Sequence, residues 1–457
     1  MKINWQGGPM RSSRPGVKSA RRGWLCAGVA AVGLTAVAGP APVWAQSEVS
    51  LSGAVDASVG RDMGKTDRSV RTGTQGRGTH LTLAGAEALG NGLKAGFVIR
   101  QEIFLTGDPT DSIRLRDRYV YLESDRIGRL SLGTRVRPGF TMAAAADPFM
   151  TDGVAANSEI TSMAGVTSPY ADSRASRSVT FETQYAGAFL ALQVADKAQA
   201  DDAAVQVIPV SAALGWRNDD AVIGVGYDRP GFRIGNATSE AVSLSGRYNL
   251  GAVTLHAGVG RAKGGATSPI DINAGPGLTF AKGDVISGQL TRLGLPNGYT
   301  VRSALLGVTW RLGAFELLAS YGILDSQDLA NARDRIPLAA QASALGAQAQ
   351  ALGAQAAALG AQAVAAGQAG NLAQAQSLGT QAQTLGAQAT ALATQARQQA
   401  AAMLAYQASN TQVAQRLALG VRYNLSARTS IYANAARDPR QPSGPQTAYE
   451  LGVRHRF

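Results

Sequence analysis

Arg114, Arg116 and Arg118 stand two residues apart in the segment Arg114-Leu-Arg-Asp-Arg-Tyr-Val-Tyr-Leu122. On an extended chain that spacing puts all three on one face, with Tyr119 and Tyr121 on the other. Arg100 and Arg135 occupy matching positions in the alternating segments on either side. Paired as neighbours, the three segments would carry a ladder of guanidiniums on one wall. Such a wall breaks no bonds; it offers fixed positive charge and forked donors to an anion. Three readings stay open: a basic wall in a water-filled lumen that sorts solutes by charge, a rim site for lipopolysaccharide, or arginines that are merely solvated.

Catalysis needs a constellation that this chain does not offer. His80, His256 and His455 are its only histidines, and each falls within an alternating segment without an evident acid or nucleophile beside it. There is no zinc-ligand spacing, no phosphate-cradling loop between strand and helix, and no Gly-x-Ser-x-Gly elbow. An enzyme is not expected, and neither is a metal or a cofactor.

The elements that would position the ladder are strands. In the last segment, 448–457, Tyr449, Leu451, Val453, His455 and Phe457 share one face, and Ala448, Glu450, Gly452, Arg454 and Arg456 share the other. That is period two with one apolar and one charged side. Segments of this kind recur near 48–59, 78–86, 92–104, 114–123, 128–136, 176–186, 188–196, 206–216, 220–229, 239–249, 252–261, 299–311, 314–325, 414–424, 429–437 and 447–457. Tight turns such as Asn218-Asp219 and Leu250-Gly251 alternate with long connections at 137–175, 262–298 and 326–413. Sixteen strands with one short-turn end and one long-loop end predict an all-β fold, an antiparallel transmembrane β-barrel with its apolar face in lipid.

The start of the chain reads as an export signal. Lys2, Arg11, Arg14, Lys18, Arg21 and Arg22 precede an apolar run from Trp24 to Ala38, and Val43-Trp-Ala45 offers small residues for cleavage. We expect a signal peptide over 1–45 and the barrel over 46–457. Cys26, the only cysteine, leaves with the signal, so the mature chain has no disulfide. Cleavage lowers the formal net charge from +12 to +6, too mild a balance to suggest nucleic acid.

The ending Gly452-Val-Arg-His-Arg-Phe457 resembles the C-terminus of general porins of Gram-negative bacteria, the sixteen-stranded type common in β-proteobacteria. Leu81-Thr-Leu-Ala-Gly85 with Glu87-Ala-Leu-Gly-Asn-Gly-Leu-Lys94 is similar to that family's second and third strands and their turn. Arg118-Tyr-Val-Tyr-Leu122, Gly128-Arg-Leu-Ser-Leu-Gly133 and Ser178-Val-Thr-Phe-Glu-Thr-Gln-Tyr185 are similar to the strands that flank its third loop. The resemblance implies a diffusion channel for small hydrophilic solutes and ions in the outer membrane, assembled as a homotrimer among membrane lipid and lipopolysaccharide. It implies a third loop folded into the barrel, so that Asp147, Asp152 and Glu159 would face the ladder of Arg100, Arg114, Arg116, Arg118 and Arg135 across a constriction. It makes Phe457 part of the signal read by the barrel insertion machinery.

Residues 338–408 depart from that pattern. Leu345, Leu352 and Leu359 alternate with Ala349, Ala356 and Ala363 at 4,3 spacing, and Leu378, Leu385 and Leu392 repeat the scheme with Ala382, Ala389 and Ala396. This is a heptad seam in an Ala/Gln background. It predicts two antiparallel helices of about 26 residues joined near Gly367–Asn371, inserted in the seventh external loop. A second function follows from it: a surface adhesin or interaction protein, with the barrel as anchor and the hairpin as the working part.

Overall fold

The computed structural model describes residues 47–63, 69–72, 78–103, 105, 114–150, 153–157, 173–196, 205–229, 232–234, 237–238, 240–264, 299–440 and 445–457. The expected signal peptide and most of the segment 262–298 lie outside these residues.

Period-two patterning becomes strand wherever one face is apolar. In β1 (Ser47–Arg61) Val49, Leu51, Val55 and Val59 are exposed, whereas Ala54, Asp56 and Ser58 are buried. The same alternation builds β2 (His80–Gly90), β3 (Leu93–Glu102), β4 (Arg114–Ser124) and β5 (Gly128–Val136). After a short helix α1 (Pro138–Ala144) come β6 (Arg174–Tyr185), β7 (Ala188–Ala195), β8 (Val210–Arg217) and β9 (Ala221–Arg229). Then follow β10 (Glu240–Leu250), β11 (Val253–Gly264), β12 (Tyr299–Leu312) and β13 (Phe315–Asp325). Helices α2 (Gln327–Gln368) and α3 (Leu372–Ala405) precede β14 (Gln412–Asn424), β15 (Thr429–Arg437) and β16 (Thr447–Arg456).

Each of the sixteen strands pairs antiparallel with the next. β16 pairs back onto β1 from Ala54↔Arg456 to Arg61↔Tyr449, which closes the sheet. Closure leaves no unpaired edge. Sequence patterning missed Ser69–Thr72, which pairs antiparallel with Ala57–Gly60 of β1, and a small sheet of Val205–Gln206, Phe232–Ile234 and Ala237–Thr238.

The outer surface carries exposed Leu and Val on strand after strand, a stripe that water would penalise and lipid does not. Tyr185, Trp216, Tyr248, Trp310 and Phe315 are exposed beside the short turns and form an aromatic girdle at that end. No helix among the described residues is long and apolar enough to cross a membrane. At the closing seam, Gly53 and Phe457 exchange backbone hydrogen bonds of 3.1 and 3.2 Å. Phe457 ends the chain on the outer side, 45% exposed.

α2 and α3 form the expected helical hairpin, but α2 starts eleven residues before position 338 and contains Pro337. Ser326 caps α2 by accepting from Leu329 N at 3.3 Å, while its own hydroxyl donates to Thr300 O at 2.7 Å. The root of the hairpin does not simply stand above the barrel. Leu329, Ala330, Ala332 and Met403 pack with Ala241, Ala262, Val301, Leu324 and Ala414, on strands β10 to β14 near the long-loop end. By strand parity those wall residues face the lumen. Arg335 is buried and donates to Leu404 O and Tyr406 O, both at 2.8 Å, so one α2 side chain caps the end of α3.

Candidate functional site: the lumen and its inner loop

The chain leaving β5 turns into the barrel at Arg137. Gly139 N donates to Ser211 Oγ at 2.9 Å, and Met142 packs against Phe189, Ala191 and Ala213 on the inner face of β7 and β8. The loop then crosses the wall strand by strand. Ala145 O accepts from His256 Nδ1 on β11 at 3.2 Å; a carbonyl only accepts, so the proton lies on Nδ1. Phe149, Ala155 and Ala156 pack with Leu318, Ala418 and Ala436. Asn157 Nδ2 donates to Ser320 Oγ at 2.7 Å, and Arg416 Nη1 donates to Ala156 O at 2.8 Å.

Glycines make room for this crossing. A Cβ at Gly224 would stand 2.8 Å from Met142 Sδ, at Gly226 2.7 Å from Gly139 O, and at Gly258 2.8 Å from Ala146 Cβ. At Gly307 it would meet Pro148 Cδ at 2.8 Å, and at Gly420 the Phe149 ring at 2.7 Å. Carbon atoms pack at about 3.5–4.0 Å. The inner loop therefore lies in a groove of missing side chains from β9 to β14, and the opposite wall, β15 through β6, is left facing it.

That opposite wall is charged. Arg100 is buried on the lumen face of β3. Arg135 lies over the Tyr119 ring at 4.5 Å, is ion-paired with Glu182 on β6, and donates to Ser131 Oγ at 3.1 Å. Arg129 lies over Tyr121 at 4.4 Å and is ion-paired with Glu123. Asp56 accepts from Tyr432 Oη at 2.6 Å and has Arg454 at 3.8 Å. Further round, Arg217 Nε donates to Gln184 Oε1 at 2.6 Å, and Arg422 and Arg311 share Glu316. Arg247, opposite His256 in the ladder, completes the belt.

Several expectations are corrected by this geometry. Tyr119 and Tyr121 do not face lipid; they lie under lumen arginines, and Val120 and Leu122 take the outer face at 55% and 51% exposure. Arg118 shares that outer side: it is exposed and stands opposite the outward Ile99. Arg118 keeps the parity of Val120 and Leu122, so it goes out with them while the tyrosines go in. Before it β4 bulges: the register with β3 shifts between Ile99 and Gln101, so Arg114 and Arg116 do not follow by parity. Arg116 sits in the bulge, held by Glu102 with Nε at 2.7 Å. The side chain of Arg114 lies outside the described residues.

Asp147 does not present its charge to the lumen either. It is 2% exposed, and its carboxylate accepts from Phe149 N and Asn157 N, both at 3.0 Å, which pins the inner loop to itself. Asp152 and Glu159 lie outside the described residues. Sequence reasoning placed Arg454 on the charged face but passed over Arg129, Arg217, Arg247, Arg311 and Arg422. The signal was present, because each stands at odd spacing from an outward Leu, Val or Trp on its own strand.

The sequence matches the family profile described as Gram-negative porin over residues 28–339. No curated protein matches it significantly. Among solved structures the chain is similar to the anion-selective porin from Comamonas acidovorans, at 18% identity and a TM-score of 0.58, over 90% of this chain and 100% of that one. It is similar to a loop L8 deletion mutant of OmpT, an outer membrane protein of Vibrio cholerae, at 10% identity and a TM-score of 0.51, covering 90% and 99%. Salmonella typhi OmpF in complex with daunomycin shares 9% identity at a TM-score of 0.50, covering 90% and 97%. At such identities these likenesses speak for the fold.

Proposed function

Since the chain belongs to the Gram-negative porin family and its barrel lies in the outer membrane, we propose that its channel passes small hydrophilic solutes and ions by passive diffusion, with a weak preference for anions, and works as a homotrimer. The observation that carries the preference is the state of the lumen charges. Glu123, Glu182 and Asp56 are each already engaged by an arginine, Glu316 is shared by two, Arg311 and Arg422, and Arg247 adds positive charge with no acid among the ion pairs of the described residues. The residual field is positive. It acts across a lumen narrowed by the inner loop, where low-dielectric walls hold field lines in the water. Screening over about 8 Å at physiological salt keeps the preference weak. Arg100 and Arg135, with Arg116 above them, form the basic side of the constriction, and Asp152 and Glu159 are the loop acids proposed to face them. Anion selectivity in the similar Comamonas acidovorans porin agrees with this reading.

Planar-bilayer recording tests it. Unit conductance steps are expected from the purified protein, with a reversal potential on the anion side. Replacing Arg100 and Arg135 with Gln should move that potential towards cations, whereas Arg118→Gln should leave it in place. An unmoved potential in the double variant overturns the selectivity. A folded barrel that never conducts overturns the channel and points instead to an anchor for the hairpin.

A further inference from the structure

The root of the helical hairpin is enclosed rather than perched. Leu329, Ala330, Asn331 and Ala332 follow one another in α2, and all four are buried. A helix buried all round is wedged between partners. Here the partners are the inner face of β10 to β14 and, from the returning chain, Met403 and Ala408. Asn331 ties the two arms together. Its Oδ1 accepts from Gln327 Nε2 at 2.9 Å and from Ala408 N at 2.7 Å, and its Nδ2 donates to Gln407 Oε1 at 3.0 Å. The Arg335 cap on the end of α3 is a second tie.

The root and the inner loop lean on the same wall at two heights. β11 meets the root at Ala262 and faces the loop at Gly258; β12 does so at Val301 and Gly307, and β14 at Ala414 and Gly420. Four to six residues along strands tilted near 40° set the root about 10–15 Å nearer the long-loop end. Sixteen strands about 4.8 Å apart at that tilt enclose a barrel about 32 Å across. A helix with its side chains is about 10–12 Å thick, so the root takes roughly a third of that width at the mouth. Its charges balance: over 327–337, Asp328 and Asp334 offset Arg333 and Arg335.

We propose that the hairpin root is a second filter, in series with the constriction, which sorts solutes by size at the long-loop mouth before the arginine wall sorts them by charge. Bulky hydrophilic solutes of the oligosaccharide class stop there, short of the constriction they would otherwise block. Having no net charge, the root adds little to ion selectivity. The inference rests on the channel reading above.

Polymer exclusion in planar bilayers tests it. Neutral polyethylene glycols of graded size are added to one compartment at a time, and the largest that still lowers unit conductance gives the cut-off for that mouth. The wild type should show two unequal cut-offs. Replacing 327–408 with a short Gly/Ser turn should raise the lower one to meet the higher. The turn has little to span, because Ser326 N already donates to Thr411 O at 2.9 Å. Replacing only 343–397 with such a turn removes the outer hairpin, keeps the root, and should leave both cut-offs in place. Asn331→Ala keeps the whole chain, frees the root from its tie, and should also raise the lower cut-off without moving the reversal potential. Heat-modifiable mobility confirms that each variant is folded. Equal cut-offs in the wild type, or an unchanged lower cut-off in either root variant that folds, would overturn the filter while leaving the channel standing. A loss of asymmetry in the 343–397 variant would assign the filter to the outer hairpin and overturn the role of the root. A reversal potential that moved in Asn331→Ala would overturn sorting by size alone. A folded wild type without conductance steps would overturn the channel reading and this inference with it.

Discussion

Filling the glycine groove should push the inner loop into the lumen. In Gly307→Ala the new methyl would stand 2.8 Å from Pro148 Cδ, and in Gly258→Ala 2.8 Å from Ala146 Cβ. Ordinary carbon contact needs about 3.5–4.0 Å, so the loop must retreat by about 1 Å at each point. The wall cannot yield instead, because both glycines are paired on both sides within the closed sheet. Overpacking of this kind costs about 1–3 kcal/mol. Ala146 and Pro148 lie two residues apart on one loop, so a single displacement relieves both clashes, and the double variant should cost less than the two singles together. In bilayer recordings each single variant should lower unit conductance, and larger solutes should be excluded before small ions are. Gly360→Ala is the control: its Cβ meets nothing, and it should leave conductance alone while favouring helix by about 1 kcal/mol. Unchanged conductance in the folded double variant would refute the idea that the groove sets the position of the loop.

Two further outcomes are expected. Arg335→Ala removes two hydrogen bonds from a charged donor, each worth about 1.5–3 kcal/mol, and should make the segment near Leu404–Ala408 sensitive to limited proteolysis while conductance persists. Deleting Phe457 should lower the yield of folded, heat-modifiable barrel in the outer membrane, because its backbone closes the seam on Gly53; wild-type yield would contradict this.

Much of the architecture was legible because lipid outside and water inside force a two-residue period. Leu451 and Val453 against Glu450 and Arg454 fix the face of β16, and the structure agrees. The same rule, applied to the arginines of β4, put the wrong face inward. Val120 and Leu122 were the safer guide there, because no bulge lies between them and the lipid-facing side, whereas tyrosine suits a lumen in which it stacks under arginine. The path of the inner loop was not legible. It depends on five glycines spread over four strands, whose common purpose appears only when the sheet closes. The hairpin turn at 369–371 could be read from the broken heptads, but its root could not. Pro337 stands just before the heptads, and α2 runs through it, its first turns held by tertiary contacts.

Seating those first turns on the inner wall has a mechanical consequence. Beyond Pro337, α2 runs for about 47 Å at 1.5 Å per residue, while the part before Pro337 spans only a few turns within the mouth. The hairpin is thus a lever with its short arm in the vestibule. A sideways load at the tip is transmitted to Leu329 and Met403 as a smaller displacement with greater force, and the proline is where the helix bends first. A protein gripping this hairpin would be gripping the entrance of the pore.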